Sequence, residues 1–159
     1  PVIMLEHREL LSTRGPVPEE DYEIPFGRAA IVRHGEDITV VALTRMVHLV
    51  LSLTDELATE GISVEVIDPR TVSPLDTDTI CQSVARTGRL LIIDEAYGPC
   101  GIGAEIAAAV ADAGFNDLDA PIRRLNGCFA PTPYSPTLES GVVPHADDVR
   151  MAIHGMIAE

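Results

Sequence analysis

From residue 37 onward the apolar positions alternate between continuous β-branched runs and a spacing of three and four. "DITVVAL" (37–43) is unbroken and β-branched, the pattern of a strand buried on both faces. Met46, Val47, Val50, Leu53 and Leu57 then recur at helical spacing. Thr44 stands where an N-cap belongs and Gly61 where a C-cap glycine belongs. "SVEVID" (63–68) predicts a second strand, and Pro69 and Pro74 bound the turn after it. Asp76 is placed to cap a helix carrying Ile80 and Val84 and ending at Gly88; "RLLIID" (89–94) predicts a third strand. A glycine-rich loop leads into a helix from Gly103 to Ala113, stopped by Gly114. "APIRRL" (120–125) reads as a weaker fourth strand and "NGCFAPTPYSPTLESGVVP" as a proline-rich loop. Asp147 is placed to cap a last helix with Val149, Ile153 and Met156 on one face.

Strands alternating with helices over short connections imply βαβ units and a parallel sheet covered on both faces. The expectation is an α/β fold, a single three-layer α/β/α domain over residues 26–159. Residues 1–25 read as an N-terminal arm or linker: there is little periodicity, and "STRGPVPEEDYEIPFG" at its end has three prolines and two glycines. "PVIMLEH" opens on a proline and a strand-like run, as a piece of a longer chain cut near a domain boundary would.

Charge narrows the partners. Twenty-five acidic against eleven basic residues leave a net charge of −14. Nucleic acid and anionic membrane surfaces would be repelled, and a partner that docks by charge would be basic. No apolar run is long enough to span a bilayer, no signal segment opens the chain, and a cytoplasmic location is the default.

The segment "DEAYGPCGIGAEIAAAV" (94–110) has the strand, glycine loop and helix of a dinucleotide site, yet fails its test. Ile106 stands where G-x-G-x-x-G needs its last small residue, and the loop does not tighten directly after the strand. Glu105 lies in the first helical turn, where its carboxylate complements the helix dipole and repels a phosphate. Tight turns and close backbone approach explain the glycines better. Asp94 and Glu95 end a parallel strand at its carboxyl edge, but adjacent strand residues point to opposite faces, which favours a structural role over a paired acid and base. The histidines do not cluster at ligand spacing, and Cys81, Cys100 and Cys128 form no C-x-x-C. Cys81 reads as a small core residue, and Cys100 and Cys128 as exposed loop thiols. No catalytic, cofactor-binding or metal-binding residue is assigned.

In order along the chain, "VIDPRTVSPLDTDTI", "TGRLLIIDEA", "GAEIAA" and "PYSPTLE" resemble the C-terminal part of the β subunit of the thiamine-diphosphate-dependent decarboxylase component of 2-oxo acid dehydrogenase complexes. "EHRELL", "RMVH" and "DEA" look more like pyruvate- or acetoin-type members than branched-chain ones. Phe129 and Ala130 depart from that family, which tends to have Asp-Thr before the Pro-x-Pro.

The resemblance implies a transketolase C-terminal-like domain: a mainly parallel five-stranded sheet with one antiparallel strand, drawn from residues 26–34. It implies that the catalytic histidine lies in a preceding pyrimidine-binding domain, and that the thiamine diphosphate and magnesium of the parent enzyme are held outside this chain. The isolated domain would then be inactive. Its role would be assembly, with the decarboxylase α subunit and a second β subunit as heterotetramer partners. A further partner would be the basic peripheral subunit-binding domain of the acyltransferase component. Candidate interface residues are Gly101, Gly103, Ala104, Glu105, Ala107 and Ala108 on the glycine loop and its helix, Asp117 and Asp119 on an exposed turn, and Tyr134. The rival reading is a free-standing regulatory or small-ligand-binding α/β domain, with a pocket between the loops at 95–102 and 127–136.

Overall fold

A computed structural model describes residues 1–159. After a single 3-10 turn at Arg8–Ser12, the arm runs without regular structure to β1 (Ala30–Arg33). Then follow β2 (Ile38–Ala42), α1 (Arg45–Thr59), β3 (Val64–Asp68), α2 (Thr77–Thr87), β4 (Leu90–Tyr97), α3 (Ile102–Gly114), β5 (Arg123–Gly127), α4 (Pro136–Ser140) and α5 (Ala146–Ile157). One five-stranded sheet has the order β1-β3-β2-β4-β5. The pairs β2–β3, β2–β4 and β4–β5 are parallel; β1 runs antiparallel to β3, with a bulge between Ile31 and Arg33.

The central strands β2, β3 and β4 are buried on both faces because their side chains alternate between two cores. Val40, Ala42, Val66, Leu91 and Ile93 pack against α1 and α5 in a core of 16 buried residues, whereas Val41, Ile67, Leu90 and Ile92 pack against α2 and α3 in one of 9. The second core is thinner because α3 brings glycine and alanine to the sheet and α2 brings Ser83 and Thr87. Each large aliphatic side chain fully buried here contributes about 1.5–3 kcal/mol. No helix is long and apolar enough to cross a membrane.

Most helix ends follow local rules. Asp76 accepts a hydrogen bond from Thr79 N, 3.2 Å, and Gly88 closes α2 in the left-handed region at φ 68°. Two caps differ from expectation. Thr44 makes no side-chain cap bond: its φ is 49°, whereas a capping hydroxyl needs extended backbone. At α5 the N-cap is His145, not Asp147; His145 N donates to Asp148 Oδ2 at 2.9 Å, and Asp147 instead accepts from Arg150 Nη1 at 2.7 Å. The last strand is Arg123–Gly127 rather than 120–125, because Pro121 has no N–H to place in a ladder and pairing starts at Leu91↔Arg123. The proline-rich loop contains α4, whose Pro136 occupies the first turn, where a missing N–H costs nothing.

Candidate functional site at the carboxyl edge

In this strand order the chain leaves β2 towards β3 on one side and leaves β4 towards β5 on the other. The carboxyl ends of β2 and β4 therefore flank a topological switch point, the crevice where open α/β sheets take their ligands. Arg45 begins the helix after β2 and Glu95 lies at the end of β4. Arg45 reaches across the crevice: its Nε and Nη2 lie 2.9 and 2.8 Å from Glu95 Oε1.

The arm completes this cluster. His7 Nε2 lies 2.8 Å from Glu95 Oε2, and Glu9 Oε2 lies 3.2 Å from Arg45 Nε. His7 Nδ1 accepts from Glu9 N at 3.3 Å, so the neutral ring carries its proton on Nε2 and donates it to Glu95. A cleft of about 410 Å³ opens beside the cluster, lined by Arg8, Glu139, Ser140 and His145 among others, with Val143 its one hydrophobic residue. Asp94 points away from this group. It is buried and accepts from Ala96 N at 3.0 Å, so the two carboxylates at the strand end are separated as their alternation requires.

The expected interface residues do not form one patch. Gly101 precedes α3 at the carboxyl edge, where a Cβ would stand 2.4 Å from Tyr97 O. Gly103 is buried, and a Cβ there would stand 3.3 Å from Ile92 Cγ2, so the close approach of this helix is to its own sheet. Ala107 packs beside the same core, Ala104 is half-buried, and Glu105 and Ala108 face outward. Asp117 and Asp119 lie near the other end of α3, about 20 Å away along a 13-residue helix. Both are exposed, and Asp119 N is tied to Gly88 O at 2.8 Å. Tyr134 is fully exposed. The loops named for a pocket do meet: Tyr97 and Phe129 pack edge to face with centroids 5.6 Å apart. His7, Glu9 and Arg45 carry no spacing signal in the chain; the pairing of β2 with β4 brings Arg45 to Glu95, and the path of the arm brings His7 to Glu95 and Glu9 to Arg45.

Burial pushes the Cys81 thiol up, and the charges of Asp78 and Asp117 add to it; Cys100 and Cys128 are exposed. No three His, Cys, Asp or Glu side chains converge in a way that could hold a metal ion. Nor do the residues fit thiamine diphosphate with magnesium. Arg45 is already neutralised by two carboxylates, the cleft carries Glu9, Glu95 and Glu139, and the first turn of α3 carries Glu105.

Residues 27–149 match the family described as transketolase, C-terminal domain, and the chain belongs to that family. It is 46% identical over 152 residues to the β subunit of acetoin:2,6-dichlorophenolindophenol oxidoreductase of Cupriavidus necator, covering 96% of this chain and 45% of that protein. It is 42% identical over 153 residues to the pyruvate dehydrogenase E1 component β subunit of Rickettsia felis, covering 96% and 47%. Among solved structures, a split-gene transketolase in an inactive beta4 tetramer superposes with a TM-score of 0.74 at 23% identity, covering 91% of this chain and 46% of that one. The chain thus spans less than half the length of the curated relatives it matches. The fold expectation holds in full: a three-layer sheet with one antiparallel strand, supplied from within residues 26–34.

Proposed function

We propose that this chain is the assembly and docking part of the β subunit of a thiamine-diphosphate-dependent 2-oxo acid or acetoin dehydrogenase, and that it takes no part itself in bond-making steps. Exposed apolar side chains carry this reading. Val2, Ile3, Met4, Leu5, Val17, Tyr22, Ile24 and Phe26 of the arm, with Phe129, Tyr134 and Leu138 of the carboxyl-edge loop, all face solvent on an otherwise acidic surface. Apolar surface on that scale calls for cover by other protein. The α subunit and a second β subunit are the proposed cover. The net charge of −14 suits a basic subunit-binding domain as a further partner. The rival reading places a pocket between the loops at 95–102 and 127–136; of those residues only Glu95 and Pro136 line the polar cleft, and its one hydrophobic residue in ten gives it few apolar walls.

Asp119 is the proposed rim contact for the basic domain. Calorimetric titration of this domain into wild type and Asp119→Lys, at low salt and above ~0.15 M where exposed charges are screened within about 8 Å, tests it. Affinity should fall with salt, and Asp119→Lys should cost a further amount of about 1 kcal/mol. Equal affinities in all four titrations would remove both the site and the electrostatic mechanism.

A further inference from the structure

The segment Arg8–Ser12 and the two links at its start, His7 to Glu95 and Glu9 to Arg45, stand apart from the rest of the arm. Segment 14–25 lies outside any helix or strand and is exposed throughout. By contrast His7 and Leu10 are half-buried, and the turn is closed by Leu10 N to His7 O and Thr13 N to Leu10 O, both 3.0 Å. The turn runs along the carboxyl edge between two clefts. One is the polar cleft beside Arg45 and Glu95; the other, of about 440 Å³, lies between Leu10 and Leu11 on one side and Leu43 and Val72 on the other.

We propose that residues 7–12 are a strap that closes the switch-point crevice, clasped by Glu95 and Arg45. Three features argue for a clasp rather than chance contact. Glu95 and Arg45 are largely covered, at 18% and 28% side-chain exposure, so their charges are screened less than open surface pairs. Each binds one residue of the turn and also the other, so the four groups form one network. The neutral His7 ring uses both nitrogens at once, one on its own turn and one on the body. Opening the strap would leave Arg45 and Glu95 facing each other across an empty crevice, ready for a ligand or partner carboxylate in place of Glu9. The strap is independent of the docking role proposed above, since no partner enters its geometry.

Hydrogen exchange of the Leu10 and Thr13 amides in the whole chain tests this. In wild type both should exchange more slowly than amides of residues 19–23. Glu95→Ala should speed them by about tenfold or more while amides of β2 and β4 keep their rates. Glu56→Gln, which removes a carboxylate from Arg150 on α5, should change neither. His7→Ala with Glu9→Ala gives the same reading from the arm side, where no buried side chain is lost and folding is not at stake. Leu10 and Thr13 exchanging as fast as residues 19–23 in wild type, or no acceleration in either variant, would overturn the strap.

Discussion

The two edges of the sheet both carry a carboxylate bound by arginine, and they differ in what covers it. At the amino edge Glu65 of β3 is 1% exposed; it accepts from Ser83 Oγ and Arg86 Nη2, with His34 Nδ1 3.4 Å away. Beside it Thr39 Oγ1 shares hydrogen bonds with Ser83 at 2.6 Å and Thr87 at 2.7 Å. All but His34 belong to the central strands or to α2, so the body closes over this network by itself. At the carboxyl edge Glu95 and Arg45 depend on a segment that contributes no buried residue. The lesson is that the same pairing serves cohesion where a helix buries it and serves attachment where a separate segment must arrive to complete it.

That contrast can be broken most directly by removing the arginines. Arg86→Met should destabilise by about 2–4 kcal/mol, because a buried carboxylate loses its cation and keeps only Ser83 and His34. Arg45→Met should cost the body under about 1 kcal/mol, because Glu9 is exposed and Glu95, though largely covered, keeps His7 as a partner. Urea midpoints at unchanged slope measure both, and equal losses would erase the distinction between the edges.

Acid should loosen a different link. Burial works to raise the Asp76 carboxyl, but hydrogen bonds from Ala29 N, the Thr79 hydroxyl and Thr79 N, with the nearby charge of Arg28, hold it below the ordinary value of 3.8. A depressed carboxyl contributes stability that is present above its unfolded value and is lost as pH falls through the folded one. The contribution should therefore fade below about pH 4. Asp76→Ala should cost about 1 kcal/mol at neutral pH and flatten that part of the acid slope. A melting series over pH 2–6 on both proteins checks it, and parallel curves would count against Asp76.

The smallest expected effect is chemical. Two thiols, Cys100 and Cys128, lie exposed where β4 and β5 end, while Cys81 is pushed up by burial beneath the end of α3. A disulfide reagent at neutral pH should label the first two quickly and the half-buried Cys81 more slowly. Rapid labelling of all three would show that α2 and α3 do not seal their side of the sheet.

Much of this architecture was legible before any coordinate. β2, β3 and β4 announce themselves as unbroken β-branched runs, α1 and α2 as stripes, and Asp76, Gly61 and Gly88 as the caps they are. β1 carries no such signal: a four-residue edge strand with one covered face is too short to show a period, and only the resemblance located it. By residue type Asp147 is the better N-cap for the last helix, but it is His145, with extended backbone at φ −113° and ψ 172°, that stands at the helix start.

Periodicity and caps, being local, determined β2, β3 and β4, the long helices between them and the two-sided burial of those strands, while motifs in their order along the chain carried the family resemblance. The neighbours of Glu95 are a different matter. Arg45 is fifty residues away and His7 further still, and no spacing rule joins them. They meet because β2 and β4 lie side by side in the sheet and because the arm turns back over their carboxyl ends. Strand order and the path of an unperiodic segment are settled by the packing of the whole chain, so the crevice, its clasp and the division between its edges belong to the tertiary structure alone.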